Sequence, residues 1–434
     1  MKITELTLEN FRNFENYHIS FGNKITIFIG RNGMGKTNII AGLVKALSFI
    51  FSKQRGEPQS QFIRSTDQSV KSFDITDARY VNGDYNYPII LEANGNLSSS
   101  DKMKASLMGL DINWSFHQES KTSGLKDSLF RYAYHQFWDY YTDEPKPVLA
   151  YFSDSFPHKD TNVGKSMKEK LKSGNPLPAG DGYYQWDKEQ SCVNIWKKYY
   201  AQLWMNSNLK KSNTDNQTYI DAVNQKLCAF TKDFVNPVIG LEAEYRFDEA
   251  TLLVCYEDGS NKPFDTLPAG YKRIYSMVLD IVSRSYLLNK NADPEGIVFI
   301  DEIELHLHPS LAAVIVERFH SVFPRIQFII STHSPVVISN FNQNEGEKDD
   351  YRLINLLKDD EGYYYRIIED IYGLDYNASL TEIMDTPQSK KYQDDMVEAY
   401  LYWLKKDKNK AYKIAEILKQ AYGPGSKIIK DLGL

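Results

Sequence analysis

Cysteine is scarce in this sequence: there are three in 434 residues, Cys192, Cys228 and Cys255. Because the count is odd, the spacing is wide and no CxxC pair exists, neither a disulfide framework nor a zinc site is expected. No window approaches about 18 uninterrupted apolar residues, which predicts a protein without a membrane span. The chain opens directly into a strand pattern, without a charged and then apolar leader, so we expect a cytoplasmic protein.

An excess of positive charge is also missing. The chain has 51 Lys and Arg against 57 Asp and Glu, a formal net charge of −6 at pH 7. This balance argues against a protein that binds nucleic acid over its whole surface, and leaves only a local basic patch as an option. Hydrophobic residues make up 42% and charged residues 25%, which is typical of a globular chain of more than one domain.

The motif with the most specific chemistry is a glycine-rich turn between a predicted strand, residues 24–29, and a predicted helix, residues 36–51. The turn fits G-x-x-x-x-G-K-[ST] and consists of Gly30, Arg31, Asn32, Gly33, Met34, Gly35, Lys36 and Thr37. Its backbone N–H groups and the start of the helix can cradle phosphates. Lys36 would then reach the β- and γ-phosphates, and the Thr37 hydroxyl would bind Mg²⁺. ATP and Mg²⁺ are the predicted cofactors, and Asn38 is included among the nucleotide contacts.

Two further apolar strands end in side chains that can act on a phosphate. Residues 296–302 (GIVFIDE) close with Asp301, a candidate Mg²⁺ ligand, and Glu302, which is placed to orient or deprotonate the attacking water. Residues 326–334 (IQFIISTHS) close similarly, and His333 is a candidate donor to the γ-phosphate or the water. A solvated acidic turn and a structural histidine are the alternatives. The order of the three motifs along the chain favours the catalytic interpretation.

With these motifs the chain resembles the ABC-type ATPases of the RecF, SMC and Rad50 kind. The match includes residues 10–12 (NFR) after the first strand and residues 304–309 (ELHLHP) at the position of the D-loop. The resemblance implies a head-to-head dimer, and it implies that Arg12 approaches the nucleotide; a surface salt bridge is the alternative for Arg12. His306 and His308 lack a third ligand nearby, so they are not expected to bind metal.

The resemblance also implies a signature loop that completes the partner's site, and residues 267–273 (LPAGYKR) stand at its position. Leu267, Ala269 and Gly270 are the corresponding nucleotide contacts. Pro268 replaces the family serine and lacks a backbone N–H, which leaves slow or absent hydrolysis open. The family's glutamine loop is expected after the first helix, where three alternatives remain: Gln59, Gln61 and Gln68.

The stretch between the P-loop and the signature shows no sustained heptads, so we expect a compact insert rather than a long coiled coil. In this respect the chain resembles the ATPases of bacterial antiphage operons. Examples are the PtuA proteins of Septu systems, which act beside an HNH nuclease, and the AriA proteins of PARIS systems, which have a toxin partner. Residues 147–151 (PVLAY) and a motif within 372–387 support this resemblance.

The expected fold is α/β: an ABC-type P-loop ATPase head with an inserted α-rich region and a C-terminal helical tail. We expect the N-terminal lobe at 1–100 and the insert at 101–235, with a core strand near 147–152. The C-terminal lobe is expected at 236–370. The tail at 371–434 either packs on the core of its own chain or docks a partner.

The predicted function is an ATP-binding and ATP-hydrolysing sensor-regulator of an antiphage defence complex. The resemblance implies a dimer or higher oligomer that controls a separate effector, an HNH nuclease or a toxin. We expect no nuclease activity in this chain, because its eight histidines show no HNH pattern. Lysines of the tail leave contact with nucleic acid open. The alternative function is a RecF-like DNA-repair ATPase that binds DNA ends or gaps.

Overall fold

The computed structural model describes residues 1–51, 72–96, 112–127, 130–158, 161, 163–173, 175–209, 214–246, 249–343, 347, 349–369, 390–422, 429–430 and 432–434. Within these ranges, none of the helices combines the length and the apolar character needed to cross a bilayer. The three glutamine-loop candidates and the tail motif at 372–387 lie outside the described residues.

The strands are β1 (Lys2–Phe11), β2 (Phe14–Ser20), β3 (Ile25–Ile29), β4 (Tyr80–Val81), β5 (Asp84–Tyr85), β6 (Ile89–Asn96), β7 (Ile112–Gln118), β8 (Lys126–Asp127), β9 (Val148–Phe152), β10 (Val238–Arg246), β11 (Glu249–Tyr256), β12 (Asn261–Pro263), β13 (Gly296–Ile300), β14 (Ile326–Ser331), β15 (Tyr351–Lys358) and β16 (Tyr363–Ile368). The helices are α1 (Lys36–Ser48), α2 (Phe130–Tyr140), α3 (Lys165–Ser173), α4 (Val193–Leu209), α5 (Thr214–Thr231), α6 (Ala269–Asn289), α7 (Pro309–Ala312), α8 (Ile315–Val322), α9 (Pro335–Ser339), α10 (Lys390–Lys406) and α11 (Lys408–Tyr422).

The central sheet has six strands in the order β16-β15-β3-β14-β13-β9. All but β16 run parallel, and β3, β13 and β14 are buried along their whole length. Such strands need apolar side chains on both faces, which explains their continuous runs of Ile, Val and Phe. Because the strands are parallel, their carboxyl ends meet at one edge of the sheet. The P-loop, the Asp301-Glu302 turn and the His333 turn all follow strands that end there.

A second sheet is antiparallel, in the order β2-β1-β6-β7-β8, and α1 packs between it and the central sheet. Apolar side chains of α1, such as Ile40 and Leu43, share one buried core with both sheets. The two sheets are also joined by the buried amide of Gln327, which accepts from Ile3 N at 2.8 Å and donates to Ile3 O at 2.7 Å. This sheet continues to Asp127, past the predicted lobe boundary at residue 100. The domain limits stay predictions.

On the other side of the core, α4 and α5 of the predicted insert pack with α6 and the three-stranded sheet β10-β11-β12 of the predicted C-terminal lobe. The prolines and glycines of residues 153–182 predict a loop, but this stretch contains α3. The sequence predicts one helix near 309–322, whereas the structure has two, α7 and α8, separated at Val314, whose φ is −113° and ψ 0°. These two predictions were wrong, whereas the hairpin that the sequence predicts at 351–368 is formed by β15 and β16.

The two described helices of the tail, α10 and α11, form a hairpin with a small core of its own. Tyr400, Ala411, Ala415 and Leu418 are buried in that core, and Trp403 packs against it. Other apolar side chains of the hairpin are exposed: Leu401, Tyr402, Leu404, Tyr412 and Ile417. The hairpin therefore buries one face internally and presents apolar side chains on another.

Candidate active site

The P-loop adopts a curled conformation that only glycine tolerates at three positions. Gly30, Gly33 and Gly35 have φ of 136°, 84° and 97°, in the left-handed region that favours glycine. A Cβ on Gly30 would lie 2.6 Å from Leu356 O, and one on Gly35 would lie 2.5 Å from the Phe14 ring. A Cβ on Gly33 would meet nothing within 4 Å. The loop is thus packed at both ends and open at its middle.

The remaining P-loop residues form the exposed tip and the start of α1. Arg31 and Asn32 are exposed, and Met34 N–H donates to Arg31 O at 3.2 Å. Lys36, the first residue of α1, is buried, and its Nζ donates to Gly30 O at 2.7 Å. The positive end of the helix and a lysine thus converge on one open loop, an arrangement that suits a polyphosphate.

Burial lowers the pKa of Lys36 to about 8, although the carboxylates of Asp301, Glu302 and Glu304 act in the opposite direction. Desolvation disfavours the ammonium form, whereas nearby negative charge favours it. A phosphate bound in the loop would add negative charge and raise the pKa again. Charge on Lys36 is therefore coupled to the ligand.

The hydroxyl of Thr37, in the P-loop, is hydrogen-bonded directly to the carboxylate of Asp301, which follows β13. Thr37 Oγ1 donates to Asp301 Oδ2 at 2.8 Å, and Ser331 Oγ donates to the other carboxylate oxygen. Asp301 is 4% exposed, and its N–H donates to Phe152 O at 2.8 Å. A hydroxyl and a carboxylate are hard oxygen ligands of the kind that Mg²⁺ prefers. The donor set therefore fits Mg²⁺, which Thr37 and Asp301 would hold.

Glu302 occupies a constrained turn beside this pair. Its φ is +49°, in the left-handed region, and its N–H donates to Ser331 Oγ at 2.9 Å. Burial, and after it the charges of Asp301 and Glu304, raise the pKa of Glu302. A carboxylate whose pKa lies closer to neutrality is a better general base near pH 7 than an ordinary glutamate. The geometry and the electrostatics therefore suit proton abstraction from water.

The main-chain N–H of His333 is bound by Glu304, a residue that was not among the catalytic residues predicted from the sequence. Glu304 accepts from His333 N–H at 2.6 Å and from Thr332 Oγ1 at 2.7 Å. Burial first, and then the charge of Lys36, lower the pKa of His333. The imidazole is therefore neutral at pH 7 and can donate from one nitrogen only. The position of Glu304 two residues after Glu302 was the sequence signal that could have suggested it.

Arg12 forms an ion pair with Asp77 and also contacts α1, the helix that follows the P-loop. Its guanidinium lies 3.2 Å from Asp77 Oδ1 and donates to Asn38 Oδ1 at 3.1 Å. Asn38 in turn donates to Asn13 Oδ1 at 2.6 Å. The Asp77 side chain is 1% exposed and that of Arg12 is 28% exposed, so the salt bridge joins a buried carboxylate to a partly exposed guanidinium. The predicted approach of Arg12 to nucleotide stays a prediction.

The signature stretch opens α6 and packs on the turn that follows Glu302. Pro268 precedes the helix and is exposed, Ala269 is half-buried and Leu267 is buried. A Cβ on Gly270 would lie 2.5 Å from His306 O, so only glycine permits this approach. The Glu302 turn and the signature are thus in close contact within one chain.

The two D-loop histidines have structural contacts. The His306 ring meets the ring of His158 edge-on, with 5.3 Å between centroids. His308 precedes α7, and its Nδ1 accepts from Ser310 N–H at 3.3 Å. In the described ranges, no cluster of three or more His, Cys, Asp and Glu side chains could hold a metal ion by itself.

Together, the strand order and the site define an ABC-type P-loop ATPase head. The P-loop strand β3 lies beside the His333 strand β14, and the Asp301 strand β13 follows β14 in the sheet. The chain matches the family described as the AAA ATPase domain over residues 1–227 and 117–338, so it belongs to that family. The predicted α/β ATPase fold is confirmed.

Comparison with known proteins supports both parts of the resemblance seen in the sequence. The chain is 23% identical to the “Retron Ec83 probable ATPase” of Escherichia coli, with 100% of this chain and 86% of that protein covered. It is 40% identical over 86 residues to the “Septu protein PtuA” of Bacillus mycoides (strain KBAB4), covering 20% of this chain and 12% of that protein. Its fold is similar to an SMC head solved with the C-winged helix domain of ScpA, with a TM-score of 0.50, 13% identity, and 85% and 98% of the two chains covered. The resemblance to SMC-type heads and to PtuA proteins is confirmed.

Proposed function

We propose that this chain binds and hydrolyses ATP as the sensor-regulator subunit of an antiphage defence complex. The observation that carries the enzymatic part is the 2.8 Å contact between Thr37 Oγ1 and Asp301 Oδ2. These residues are 264 positions apart in the chain, and folding brings together the hydroxyl and the carboxylate that an ATP-bound Mg²⁺ needs.

In this proposal the backbone of Gly30, Arg31, Asn32, Gly33, Met34 and Gly35 surrounds the phosphates. Lys36 neutralises the β- and γ-phosphates, and Arg12 and Asn38 contact the nucleotide from the other side of α1. Thr37 and Asp301 hold Mg²⁺, which supplies positive charge to the phosphate oxygens when bound.

Glu302 and His333 are the proposed catalytic residues. Glu302 accepts a proton from the water that attacks the γ-phosphorus, while the bond from phosphorus to the β,γ-bridging oxygen breaks and ADP leaves. The raised pKa of Glu302 suits this role. His333, neutral near pH 7, donates a hydrogen bond to the γ-phosphate or positions the water.

We infer that two copies assemble head to head, with Leu267, Ala269 and Gly270 of one copy facing the nucleotide of the other. The exposure of Pro268 and of Tyr271, at 39%, leaves the signature turn accessible to a second chain. Because Pro268 supplies neither a hydroxyl nor an N–H, we expect slow hydrolysis. Nucleotide state would then set the lifetime of the assembly.

The effector is proposed to be a separate protein, an HNH nuclease or a toxin, and this chain is proposed to have no nuclease activity. Two relatives are named for retron and Septu systems, which supports a role in defence. The tail hairpin, with Leu401, Leu404 and Ile417 exposed, is the proposed docking element for the effector. We place the complex in the cytoplasm, where ATP is available.

The variant Glu302→Gln tests the enzymatic and assembly parts together. We expect hydrolysis to fall about 100-fold or more because the amide cannot accept the proton. ATP should stay bound, and the protein should elute as a dimer with ATP on a sizing column. The matched control is Glu317→Gln, which changes an exposed glutamate of α8. A Glu302→Gln protein that stays monomeric with ATP would contradict the dimer.

The defence role and the RecF-like repair role make different predictions about DNA. A repair ATPase should bind DNA ends or gaps tightly, with strong dependence on ATP and salt. We expect the isolated chain to bind DNA weakly, and expect a nuclease or toxin to co-purify when the protein is expressed with its neighbouring genes. Tight ATP-dependent DNA binding without such a partner would favour repair instead.

A further inference from the structure

Arg273, in the second turn of α6, is a buried cation whose charge is favoured by the nearby carboxylates of Asp301, Asp154, Glu302 and Glu304 but whose direct contacts are to main-chain carbonyls. Its side chain is fully buried, with 0% exposure. Among the residues that the structure describes, no Asp or Glu oxygen lies within 4.0 Å of its guanidinium. A buried charge is costly unless polar groups surround it. The groups that contact this one directly are main-chain carbonyls.

These carbonyls belong to the two turns at the carboxyl edge of the central sheet. One terminal nitrogen of Arg273 donates to Ser153 O at 3.2 Å and to Phe156 O, in the turn after β9. The other donates to Asp301 O at 2.9 Å and Glu302 O at 3.3 Å, in the turn after β13. A planar guanidinium can bridge two turns in this way, and an ammonium cannot.

The hydrogen bonds from Arg273 to the turn after β13 hold the main chain of Asp301 and Glu302. Glu302 has a left-handed backbone with φ +49°, which is unfavourable for a residue with a side chain. Arg273 binds the carbonyl of Glu302, and Ser331 accepts from its N–H at 2.9 Å. Both peptide groups that flank the Glu302 Cα are therefore fixed, so its side chain leaves the turn in one direction.

Helix α6 contacts the turn after β13 at a second point, which lies in the signature stretch, residues 267–273. Gly270 lies three residues before Arg273 on α6, and its Cα packs directly on the main chain of His306. The start of α6 is thus attached at Gly270 to the later part of the turn after β13, and at Arg273 to its beginning. A shift of the signature turn would therefore disturb the contacts that α6 makes with the Glu302 main chain.

We propose that Arg273 is a positioning residue, which holds the main chain of Asp301 and Glu302 and couples the geometry of the Glu302 side chain to the position of the signature turn. The inference rests on the proposed function, in which Glu302 is the general base. It adds a route by which engagement of one chain's signature by a partner's nucleotide changes the catalytic turn of that same chain.

The test variant is Arg273→Lys, which keeps a positive charge but cannot reach both turns. We expect kcat for ATP hydrolysis to fall about tenfold or more, while the affinity for ATP, measured by direct titration, changes less than about threefold. The matched control is Arg284→Lys on the same helix. Arg284 is also buried, pairs with Asp280, and donates to Gly182 O at 3.0 Å and Tyr184 O at 3.1 Å, away from the catalytic turn. We expect Arg284→Lys to lower the thermal midpoint similarly and to leave kcat within about twofold of wild type.

The double variant Arg273→Lys/Glu302→Gln distinguishes an effect of Arg273 through Glu302 from a general loss of structure. If Arg273 acts through Glu302, Arg273→Lys should lower the residual hydrolysis of Glu302→Gln by less than about twofold. Equal fold losses in the two backgrounds would overturn the proposal. Wild-type kcat in Arg273→Lys, or a parallel loss of ATP binding, would also overturn it.

The outcomes distinguish this inference from the proposed function. Normal hydrolysis by Glu302→Gln would remove the proposed function, and the role of Arg273 with it. An inactive Glu302→Gln protein beside an Arg273→Lys protein as active as Arg284→Lys would remove only the inference. Should Arg273→Lys fail to fold, Arg273→Gln takes its place, and the same loss of kcat at constant ATP affinity is required.

Discussion

The two halves of the proposed composite site differ in how far one chain completes them. In the P-loop half, Lys36, Thr37 and Asp301 already have partners within the chain, at 2.7 Å and 2.8 Å. In the signature half, the polar requirements are not met by side chains: Pro268 precedes α6 without a side-chain capping bond and is exposed. The difference suggests that nucleotide binding is a property of the single chain and that turnover is a property of the assembly.

Lys36→Met should have the largest effect, because it removes the only lysine of the phosphate loop. We expect the affinity for ATP to fall about 100-fold or more, since a charge-assisted contact to phosphate is lost. Fluorescence titration with a labelled ATP analogue measures this directly. Lys198→Met, at an exposed site on α4, is the control and should bind like wild type. Retained affinity in Lys36→Met would break the assignment of the P-loop half.

Gly270→Ala should disturb the signature half and leave nucleotide binding by the P-loop half intact. Its Cβ would lie 2.5 Å from His306 O, so the start of α6 must move away from the turn. We expect unfolding free energy to fall by about 1–3 kcal/mol and the ATP-dependent dimer to be lost, while ATP binding by the monomer is kept. Sizing chromatography with ATP and chemical denaturation measure the two effects. Gly124→Ala, where a Cβ meets nothing within 4 Å, is the control. Normal dimer formation by Gly270→Ala would argue against the signature assignment.

The pH dependence of nucleotide binding should reveal the buried lysine. The pKa of Lys36 is lowered to about 8 in the structure, and bound phosphate would raise it. Binding must then take up a proton when the pH exceeds about 8, so the affinity should fall as pH rises, by up to about tenfold per pH unit. Calorimetry at about pH 8.5 in buffers of different ionisation enthalpy measures the uptake. An affinity that stays constant from about pH 7.5 to 9.5 would show that Lys36 is not the coupled group.

Pro268→Ser should have the smallest effect and should raise activity. Serine restores a hydroxyl and a backbone N–H to the signature turn and is a favourable residue before a helix. We expect kcat to rise about threefold to tenfold, with ATP affinity unchanged. Steady-state hydrolysis above the dimerisation concentration measures this. An unchanged kcat would mean that Pro268 is not what limits turnover.

Elements with strong apolar periodicity could be predicted from the sequence. Elements whose burial depends on contact with a distant part of the same chain could not. The strand-turn-helix unit of β3 and α1, the strands β13 and β14 and the hairpin of β15 and β16 lie within a residue or a few of the prediction. Strand β7, with the mixed sequence INWSFHQ, was missed because its burial depends on pairing with β6. Helix α3, in which seven of nine residues are polar or charged and Met167 is buried, gives little apolar periodicity.

What the sequence alone determined is local chemistry: the glycines of the P-loop, the acids that end β13 and the histidine turn after β14. Those patterns follow from steric and solvation rules that act over a few residues. Which other groups bind these motifs and fix their positions was decided only by the tertiary structure. Arg273 binds main-chain carbonyls about 120 residues away, and Glu304 binds an N–H 29 residues away. Main-chain carbonyls are common to all residues and N–H groups to all but proline, so a pattern of side chains could point to Glu304 but not to the main-chain groups that Glu304 and Arg273 bind.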